Sequence, residues 1–301
     1  MRQRTIAEKI SCTGIGLHTG KPVQLTLQPA RAESGIVFVR TDLTHPVEIP
    51  ATPATLSRTH LATAIGCGDV TVDTVEHLLA ALYGLGIDNA RIEVDGPEIP
   101  GMDGSAAPFV FLLRAAGVFV QGTPRRTLAV RRPIEIRDGD RSIRIDPARE
   151  LRVSYAIDFE TPLIGRQKLC DLVIDEACFE REFARARTFG FADQVGALWQ
   201  AGRARGASLD NTVVLGDDRV LNRGGLRFPD EFVRHKVLDL LGDLALLGSR
   251  VRGHIRVERG GHSLHQKLVA ALARVSIAER SGSEVRALRP QSIRLQATGR
   301  L

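Results

Sequence analysis

One short pattern occurs twice in this chain, and it limits the folds open to it more than any other feature. His77-Leu78-Leu79-Ala80-Ala81-Leu82-Tyr83-Gly84-Leu85 and His235-Lys236-Val237-Leu238-Asp239-Leu240-Leu241-Gly242-Asp243 agree in the placing of His, Leu and Gly. Both read as Leu-rich helices that open on a histidine, and each is followed by an apolar strand and then by another helix. A repeated, strand-rich α/β unit satisfies that order. Its two halves would each pack helices on a sheet, and the two helix starts would meet between them, bringing His77 and His235 together. Short matches among Leu-rich helices also arise by chance, so the rest of the chain has to support the pattern.

Val23-Gln24-Leu25-Thr26-Leu27 and Gly35-Ile36-Val37-Phe38-Val39 alternate as strands do, with a glycine-punctuated turn, Thr13 to Gly20, near the first of them. That turn resembles a dinucleotide fingerprint only superficially, because no helix follows it. A helix is expected from about Asp73 to the stop at Gly84-Leu85-Gly86, then a strand over Ala90–Val94 and a second helix from Ser105 through Ala116. Gly122-Thr123-Pro124-Arg125-Arg126 breaks the pattern and marks a boundary. Beyond it, strands are expected at Leu128–Ile136, Ser142–Ile145 and Leu151–Phe159, with a turn over Arg137–Asp140. Helices follow at Asp175–Arg185 and Phe232–Leu247, then a strand at Gly253–Glu258 and a last helix over Leu264–Arg274. The Gly-rich stretch Gly190–Gly206, which holds the only tryptophan, Trp199, reads as an excursion from the main fold. The expected class is α+β: two similar two-layer sandwich domains, residues 1–122 and 127–301, each with a small insert and with the site between them.

A chain of 301 residues is long enough for two cores, and 43% hydrophobic with 25% charged residues is ordinary for a globular protein. The net charge of +6 is carried mainly by Arg and fits a solvated surface. No basic stripe interleaved with aromatics is present, so a nucleic-acid partner is not expected. Cys12, Cys67, Cys170 and Cys178 match neither a zinc-finger spacing nor a disulfide framework. The N-terminus carries charge without an apolar signal region, and no run approaches the ~18 apolar residues that span a membrane. A cytoplasmic, reduced monomer without stable membrane insertion is the expectation.

His235 and Asp239 lie one helical turn apart on the same face. An imidazole and a carboxylate so placed can grip one Zn²⁺ and leave room for a third ligand and water. His77 offers the third ligand, with Glu76 directly beside it. Alone, each piece has a blander use. A His-x-x-x-Asp pair is more often a hydrogen-bonding pair, and Glu76 three residues after Asp73 could complete a capping box. Together, two imidazoles, one carboxylate and a spare glutamate suggest a hydrolytic zinc site. A zinc peptidase is disfavoured because Glu76 precedes His77 and no H-E-x-x-H occurs. A non-catalytic nucleotide-sugar binder with a structural metal would need a fourth protein ligand and leave Glu76 without a role.

Several motifs in order resemble the UDP-3-O-acyl-N-acetylglucosamine deacetylases, the zinc amidases of lipid A biosynthesis. They are Thr13 to Gly20, Thr74-Val75-Glu76-His77-Leu78-Leu79, Met102-Asp103-Gly104-Ser105-Ala106, Ala186-Arg187-Thr188-Phe189-Gly190-Phe191, Asp230 through Asp239, and Gly261-His262. The resemblance implies His77, His235 and Asp239 as ligands of Zn²⁺, and a His₂Asp set also accepts Fe²⁺. It implies Glu76 as general base, His262 as general acid, and Asp243 as the residue that orients and charges that histidine. It implies Thr188 as the hydroxyl donor to the oxyanion, worth about 3 kcal/mol when well placed. Lys236, expected off the ligand face of its neighbour, would reach a sugar or phosphate oxygen; Phe189 would pack on the glucosamine ring and Phe159 on uracil. The excursion 190–208, with Val195, Leu198 and Trp199, would form a passage for the fatty acyl chain. Asn211 stands where some relatives have a cysteine. The implied partner is the UDP-linked, acylated amino sugar.

Overall fold

Strands with one apolar face build two sheets. In the first half, Ile10–Ile15 (β1), Pro22–Pro29 (β2), Ile36–Arg40 (β3), Val47–Pro50 (β4) and Ala90–Val94 (β5) line up in the order β1-β2-β5-β3-β4. Val23, Leu25 and Leu27 of β2 and Ala90, Ile92 and Val94 of β5 turn to the core, as a period of two requires. In the second half, Ile134–Asp138 (β6), Arg141–Asp146 (β7), Leu151–Asp158 (β8), Arg166–Val173 (β9) and Arg250–Glu258 (β10) take the order β6-β7-β10-β8-β9, and Thr127–Ala129 adds along β10. On β10, Val251, Ile255 and Val257 point inward while Arg252 and Arg256 face solvent.

Within each five-strand order one pair is parallel, β3 with β5 and β8 with β10, and the other neighbours are antiparallel; Thr127–Ala129 adds a second parallel pairing on β10. The two sheets therefore share both strand order and the sense of each pairing. A parallel pair needs a crossover. The helix Glu76–Gly84 (α1) lies in the first crossover and Glu231–Ala245 (α3) in the second; Ala107–Ala116 (α2) and His262–Ala287 (α4) follow the respective sheets. The structure, a computed structural model, describes residues 1–287, with side chains through Val275; residues 288–301 of the expected second half lie outside the described residues.

All nine residues of α1 are buried, which is why it is apolar nearly all round. Leu78 and Leu79, fully covered, each contribute about 1.5–3 kcal/mol by leaving water. α1 packs chiefly on α3. Their backbones touch at Gly242, where a Cβ would lie 2.1 Å from the Glu76 carbonyl oxygen. One continuous apolar cluster runs through both halves around this crossing.

Several elements differ from the sequence expectation. Thr13 to Ile15 finish β1, so the turn is confined to the residues after them. Leu128–Ile136 is two strands, because Pro133 cannot continue a hydrogen-bonded ladder. β9 was not expected at all: its apolar positions are few and its burial is slight. Gly122–Pro124 do not break structure but end the strand Val118–Pro124, which pairs with Arg2–Ile6. α1 starts at Glu76 rather than Asp73, and no capping box forms; Asp73 pairs with Arg58 instead. The last helix starts at His262, two residues earlier than its apolar pattern indicated.

Candidate active site

The site is assembled where the starts of α1, α3 and α4 converge. α1 is entered through Thr74, a β-branched residue held at φ 60°. Such a conformation survives only when its surroundings enforce it. Here the Thr74 hydroxyl donates to buried Glu98 (2.9 Å), which also accepts the backbone N–H groups of His18 and Thr19 at 2.8 Å each. The sharp entry turns Glu76 and His77 into the first turn of α1. There the His77 ring meets the His235 ring of α3 edge-on, 5.0 Å between centroids.

Both imidazoles direct Nε2 at one carboxylate oxygen: His77 Nε2 lies 3.8 Å and His235 Nε2 3.3 Å from Asp239 Oδ1. That oxygen is buried and has no hydrogen-bond partner. A buried unpaired carboxylate oxygen is costly unless a cation or proton joins it. The His235 Nδ1–H is turned to the Ala186 carbonyl (3.1 Å), which leaves Nε2 as the lone-pair nitrogen. Burial first, and the neighbouring His235 imidazole second, press His77 down to about 3, and burial lowers His235 too, so burial favours the uncharged form of both rings. Burial alone would raise Asp239, but the imidazole of His235 and the ammonium of Lys236 outweigh it and keep the group ionised. Two neutral imidazoles and a carboxylate on one point are the donor set of a divalent transition metal; among the described residues these three form one of two groups able to hold a metal, the other being Asp243, His262 and His265.

Two further ionisable groups flank that point. Glu76 is held by the Thr63 N–H, which donates to Oε2 at 3.0 Å. Burial pushes its carboxyl up to about 8, against the opposing pull of His262. His262 Nε2 stands 3.9 Å from Glu76 Oε1 and 3.9 Å from Asp239 Oδ2. Burial opposes its charge, yet Asp243 and Asp239 outweigh burial and lift the imidazole to about 9. Asp243 Oδ2 accepts His262 Nδ1–H at 2.9 Å. Asp243 itself is driven down to about 2, because the His262 and His265 imidazoles outweigh its desolvation.

Asp243 is more heavily held than the sequence indicated. Oδ2 also accepts His265 Nδ1–H (2.8 Å), and Oδ1 accepts the Thr63 hydroxyl (2.6 Å) and Gln266 Nε2–H (2.8 Å). Thr63, His265 and Gln266 were missed. The signal for His265 was present: with α4 starting at His262, His262 and His265 are i and i+3 on one helical face. Placing the helix start at Leu264 hid it.

The 186–189 segment is fastened to the start of α3 by a buried bidentate pair, Arg187 Nε to Glu231 Oε1 (2.8 Å) and Nη2 to Oε2 (3.0 Å). This pair fixes Thr188 and Phe189 beside the ligand group. Thr188, Phe189, Phe159, Lys236, Glu76, Asp239 and His262 share one cavity of about 390 Å³. The Phe159 and Phe189 rings meet edge-on at 5.8 Å, and Lys236 Nζ lies 5.5 Å from the centre of the Phe189 ring. The expectation that Lys236 stays off the ligand face is corrected. Its Nζ donates to Asp239 Oδ2 at 2.9 Å, because a four-carbon stem spans i to i+3 even where the Cβ vectors diverge.

The excursion after Phe189 is stitched to the first half: the N–H groups of Arg205 and Gly206 donate to the carbonyls of His18 and Leu17 (3.1 and 3.0 Å). Val195 and Leu198 are half-buried and Trp199 is exposed. Asn211 is structural, receiving the Ser208 N–H and donating to the Gly206 carbonyl. A second, larger depression of about 580 Å³ at Arg114, Glu176 and Glu180 is lined by ion-paired side chains and holds none of these groups. The four cysteines are free. Among the described residues no helix is long and apolar enough to cross a membrane.

An α+β scaffold that converges two neutral imidazoles, a ligand carboxylate, a second carboxylate and a charged His–Asp pair on one cavity defines a hydrolytic enzyme with a candidate metal site. The model of the UDP-3-O-acyl N-acetylglycosamine deacetylase family matches residues 3–274. A UDP-3-O-acyl-N-acetylglucosamine deacetylase of Anaeromyxobacter sp. is 54% identical over 267 residues, 89% of this chain and 87% of the relative. Its namesake in Myxococcus xanthus is 52% identical over 267 residues (89% and 85%), and that of Cellvibrio japonicus 48% over 273 residues (90% and 90%). The chain belongs to this deacetylase family, and the α+β class and the enzyme class expected from sequence both hold.

Proposed function

We propose that the protein removes the N-acetyl group of a UDP-linked, 3-O-acylated N-acetylglucosamine by hydrolysis, releasing acetate, as a step of lipid A biosynthesis. The observation that carries this reading is the unpartnered, buried Asp239 Oδ1 with two imidazole Nε2 atoms turned on it, and Glu76 and His262 facing each other at 3.9 Å beside it. His77, His235 and Asp239 fit a Zn²⁺ ion, and the same donor set takes Fe²⁺. A divalent ion held there supplies Lewis acidity toward the amide carbonyl and toward water.

The remaining work falls to side chains. Ionised Glu76 takes a proton from the attacking water, and the Thr188 hydroxyl donates to the oxygen that gains charge in the tetrahedral intermediate. His262, protonated on Nε2, delivers a proton to the sugar nitrogen as the C–N bond breaks, since an unprotonated amine leaves poorly. Lys236 steadies Asp239 and offers its remaining N–H groups to sugar or phosphate oxygens. Phe189 packs on the glucosamine ring and Phe159 on uracil, with the excursion 190–208 covering the acyl chain. We place the monomeric protein in the cytoplasm, a reading supported by its four free thiols, and take residues 1–122 and 127–301 as its two domains.

The test is acetate release from the UDP-3-O-acyl sugar by purified protein, before and after chelation and re-addition of Zn²⁺ or Fe²⁺. Acetate should appear, stop with the chelator and return with metal. A fully metal-loaded protein that releases none would overturn the assignment. The acyl reading has its own arm. Shortening the fatty chain to acetyl should lower kcat/KM by about 0.8 kcal/mol per CH₂ removed from apolar cover. Equal reaction of short and long substrates would remove the acyl passage.

A further inference from the structure

Beyond the His262–Asp243 pair runs a second line of buried hydrogen bonds. Tyr155, on β8, is fully buried, and its hydroxyl lies 2.9 Å from His265 Nε2. His265, also fully buried, places Nδ1 2.8 Å from Asp243 Oδ2, the oxygen that also holds His262. The line thus joins the second sheet to α4, α4 to α3, and α3 to the proposed general acid.

The direction of each proton follows from the partners. An ionised carboxylate only accepts, so His265 must present Nδ1–H to Asp243. Its ring centroid lies 6.1 Å from that of His262. Two imidazolium ions so close, sharing one carboxylate and out of water, are disfavoured. His265 is therefore neutral, Nε2 carries a lone pair, and the Tyr155 hydroxyl must be the donor to it. Burial, which lowers His265 and raises Tyr155, supports this assignment. The sequence makes room for the arrangement: a Cβ on Gly260 would sit 2.6 Å from the Tyr155 hydroxyl oxygen and 2.3 Å from Val257 Cγ1. Gly260, two residues before His262, is thus a contact of this line and not a free hinge.

We infer that His265, locked in its Nδ1–H tautomer by the Tyr155 hydroxyl, is a positioning residue that holds the Asp243 carboxylate in the one orientation able to serve His262. Without it, Thr63 and Gln266 still hold Oδ1, but Oδ2 keeps His262 as its one donor, so nothing apart from the acid itself fixes the oxygen that serves the acid. Two of the carboxylate's four donors, His265 and Gln266, lie within one turn of α4 beyond His262, so the start of that helix and the general acid are aligned as one unit. The inference rests on the deacetylase reading for its kinetic consequence, whereas the tautomer does not depend on that reading.

Three measurements on the metal-loaded, full-length protein test it. Two-bond ¹H–¹⁵N spectra of histidine-labelled protein, with His265→Asn used to assign the resonance, should show His265 protonated on Nδ1 alone. In acetate-release kinetics, His265→Leu should lower kcat roughly 10–100-fold, the span typical of residues that orient a working side chain, with KM and bound metal unchanged. His265→Asn should recover most of the loss, because its Nδ2–H can replace Nδ1–H, and Tyr155→Phe should lower kcat less than His265→Leu does. A His265 found as the Nε2–H tautomer or as imidazolium overturns the inference. So does a His265→Leu protein with unchanged kcat, or one whose loss falls on KM. If His265→Leu does not fold, Tyr155→Phe and the tautomer decide. An unsubstituted, metal-loaded protein that releases no acetate would instead overturn the deacetylase reading, leaving the tautomer to decide this one.

Discussion

α1 and α3 occupy the same place in two sheets of the same strand order, yet they are built for different work. α1 is apolar along its length except for its first turn, where Glu76 and His77 stand side by side. α3 carries buried polar groups through three successive turns, His235, Asp239 and Asp243, one above another on a single face. One helix offers two roles at one point; the other offers a ladder. The difference teaches how a metal set can be divided. α3 alone supplies two of the proposed ligands at i and i+4 and holds the support for the proposed acid, whereas α1 completes the proposed set and adds the proposed base. What makes the halves inseparable is Gly242, where the missing Cβ lets α3 lie against the backbone of Glu76.

The largest expected effect tests that division directly. His77→Ala and His235→Ala should each cost the protein its metal on dialysis, and acetate release with it, as read by elemental analysis and by activity. They should not be equal. His77→Ala leaves His235 and Asp239 as a pair on one rigid helix, while His235→Ala leaves single ligands on two helices. Metal titration should therefore show the weaker retention in His235→Ala. The reverse order would mean that α1, not α3, anchors the ion.

Glu76→Gln comes next. It should keep one metal ion per chain and lose about 10²–10⁴-fold in kcat, the usual span for a general base. A metal-free Glu76→Gln protein would make Glu76 a ligand and erase the functional contrast between the two first-turn residues of α1.

How far the sequence could be read follows the same line. α1 and α3 were legible because their apolar periodicity marks them, although they open on Glu76 and Glu231 rather than on their histidines, whereas the start of α4 at His262 was set two residues late. Apolar periodicity made β5, β7 and β10 legible too, whereas β9 shows too little burial to mark itself. Of the site, spacing placed His235, Asp239 and Asp243 on one face of α3, since i and i+4 on a helix is a statement about direction; the repeated pattern brought His77 and Glu76 to them, and the family resemblance implied the roles. The family resemblance implied His262, Thr188, Phe159 and Phe189, and the structure brings all four to one cavity. Thr63 and Tyr155 touch the site only through tertiary packing, and no local pattern encodes a partner elsewhere in the chain, whereas His265 was hidden only by setting the start of α4 two residues late. Lys236 was misjudged by treating its Cβ direction as the reach of the whole side chain.

Glycine substitutions sharpen the comparison between the helices at smaller cost. A Cβ at Gly84 of α1 would lie 2.2 Å from the buried Phe179 ring, and one at Gly242 of α3 would lie 2.1 Å from a backbone carbonyl. Both Gly84→Ala and Gly242→Ala should destabilise by about 1–3 kcal/mol or more, as overpacking does, measured by denaturant unfolding. Only Gly242→Ala should also lower kcat in the folded fraction, because it displaces Glu76. Equal kcat in the two variants would mean that the α1–α3 contact is packing without consequence for the site.

The finest test reads the α3 ladder through pH. In the proposed reaction Glu76 must be ionised and His262 protonated, so kcat/KM should rise as Glu76 loses its proton and fall as His262 loses its own. With burial lifting Glu76 to about 8 and Asp243 and Asp239 lifting His262 to about 9, the side chains by themselves leave only a narrow interval between the two. A divalent ion held at the proposed site would stabilise the ionised form of Glu76 and move the acid limb to lower pH, widening the interval from that side. The alkaline limb belongs to His262 and depends on Asp243, whose negative charge favours the imidazolium. Asp243→Asn removes that charge with little change of shape. The new amide can keep its oxygen toward His262 and His265, and its nitrogen, in the place of Oδ1, is accepted once Gln266 flips its amide to present Oε1 and the Thr63 hydroxyl turns its proton away. The alkaline limb of kcat/KM should therefore move to lower pH while bound metal stays at one per chain, and the acid limb should move less, since Asp243 is the last of the charges acting on Glu76. Measured from about pH 5 to 10, an alkaline limb that stays in place would detach Asp243 from the acid and leave the third rung of α3 a purely structural one.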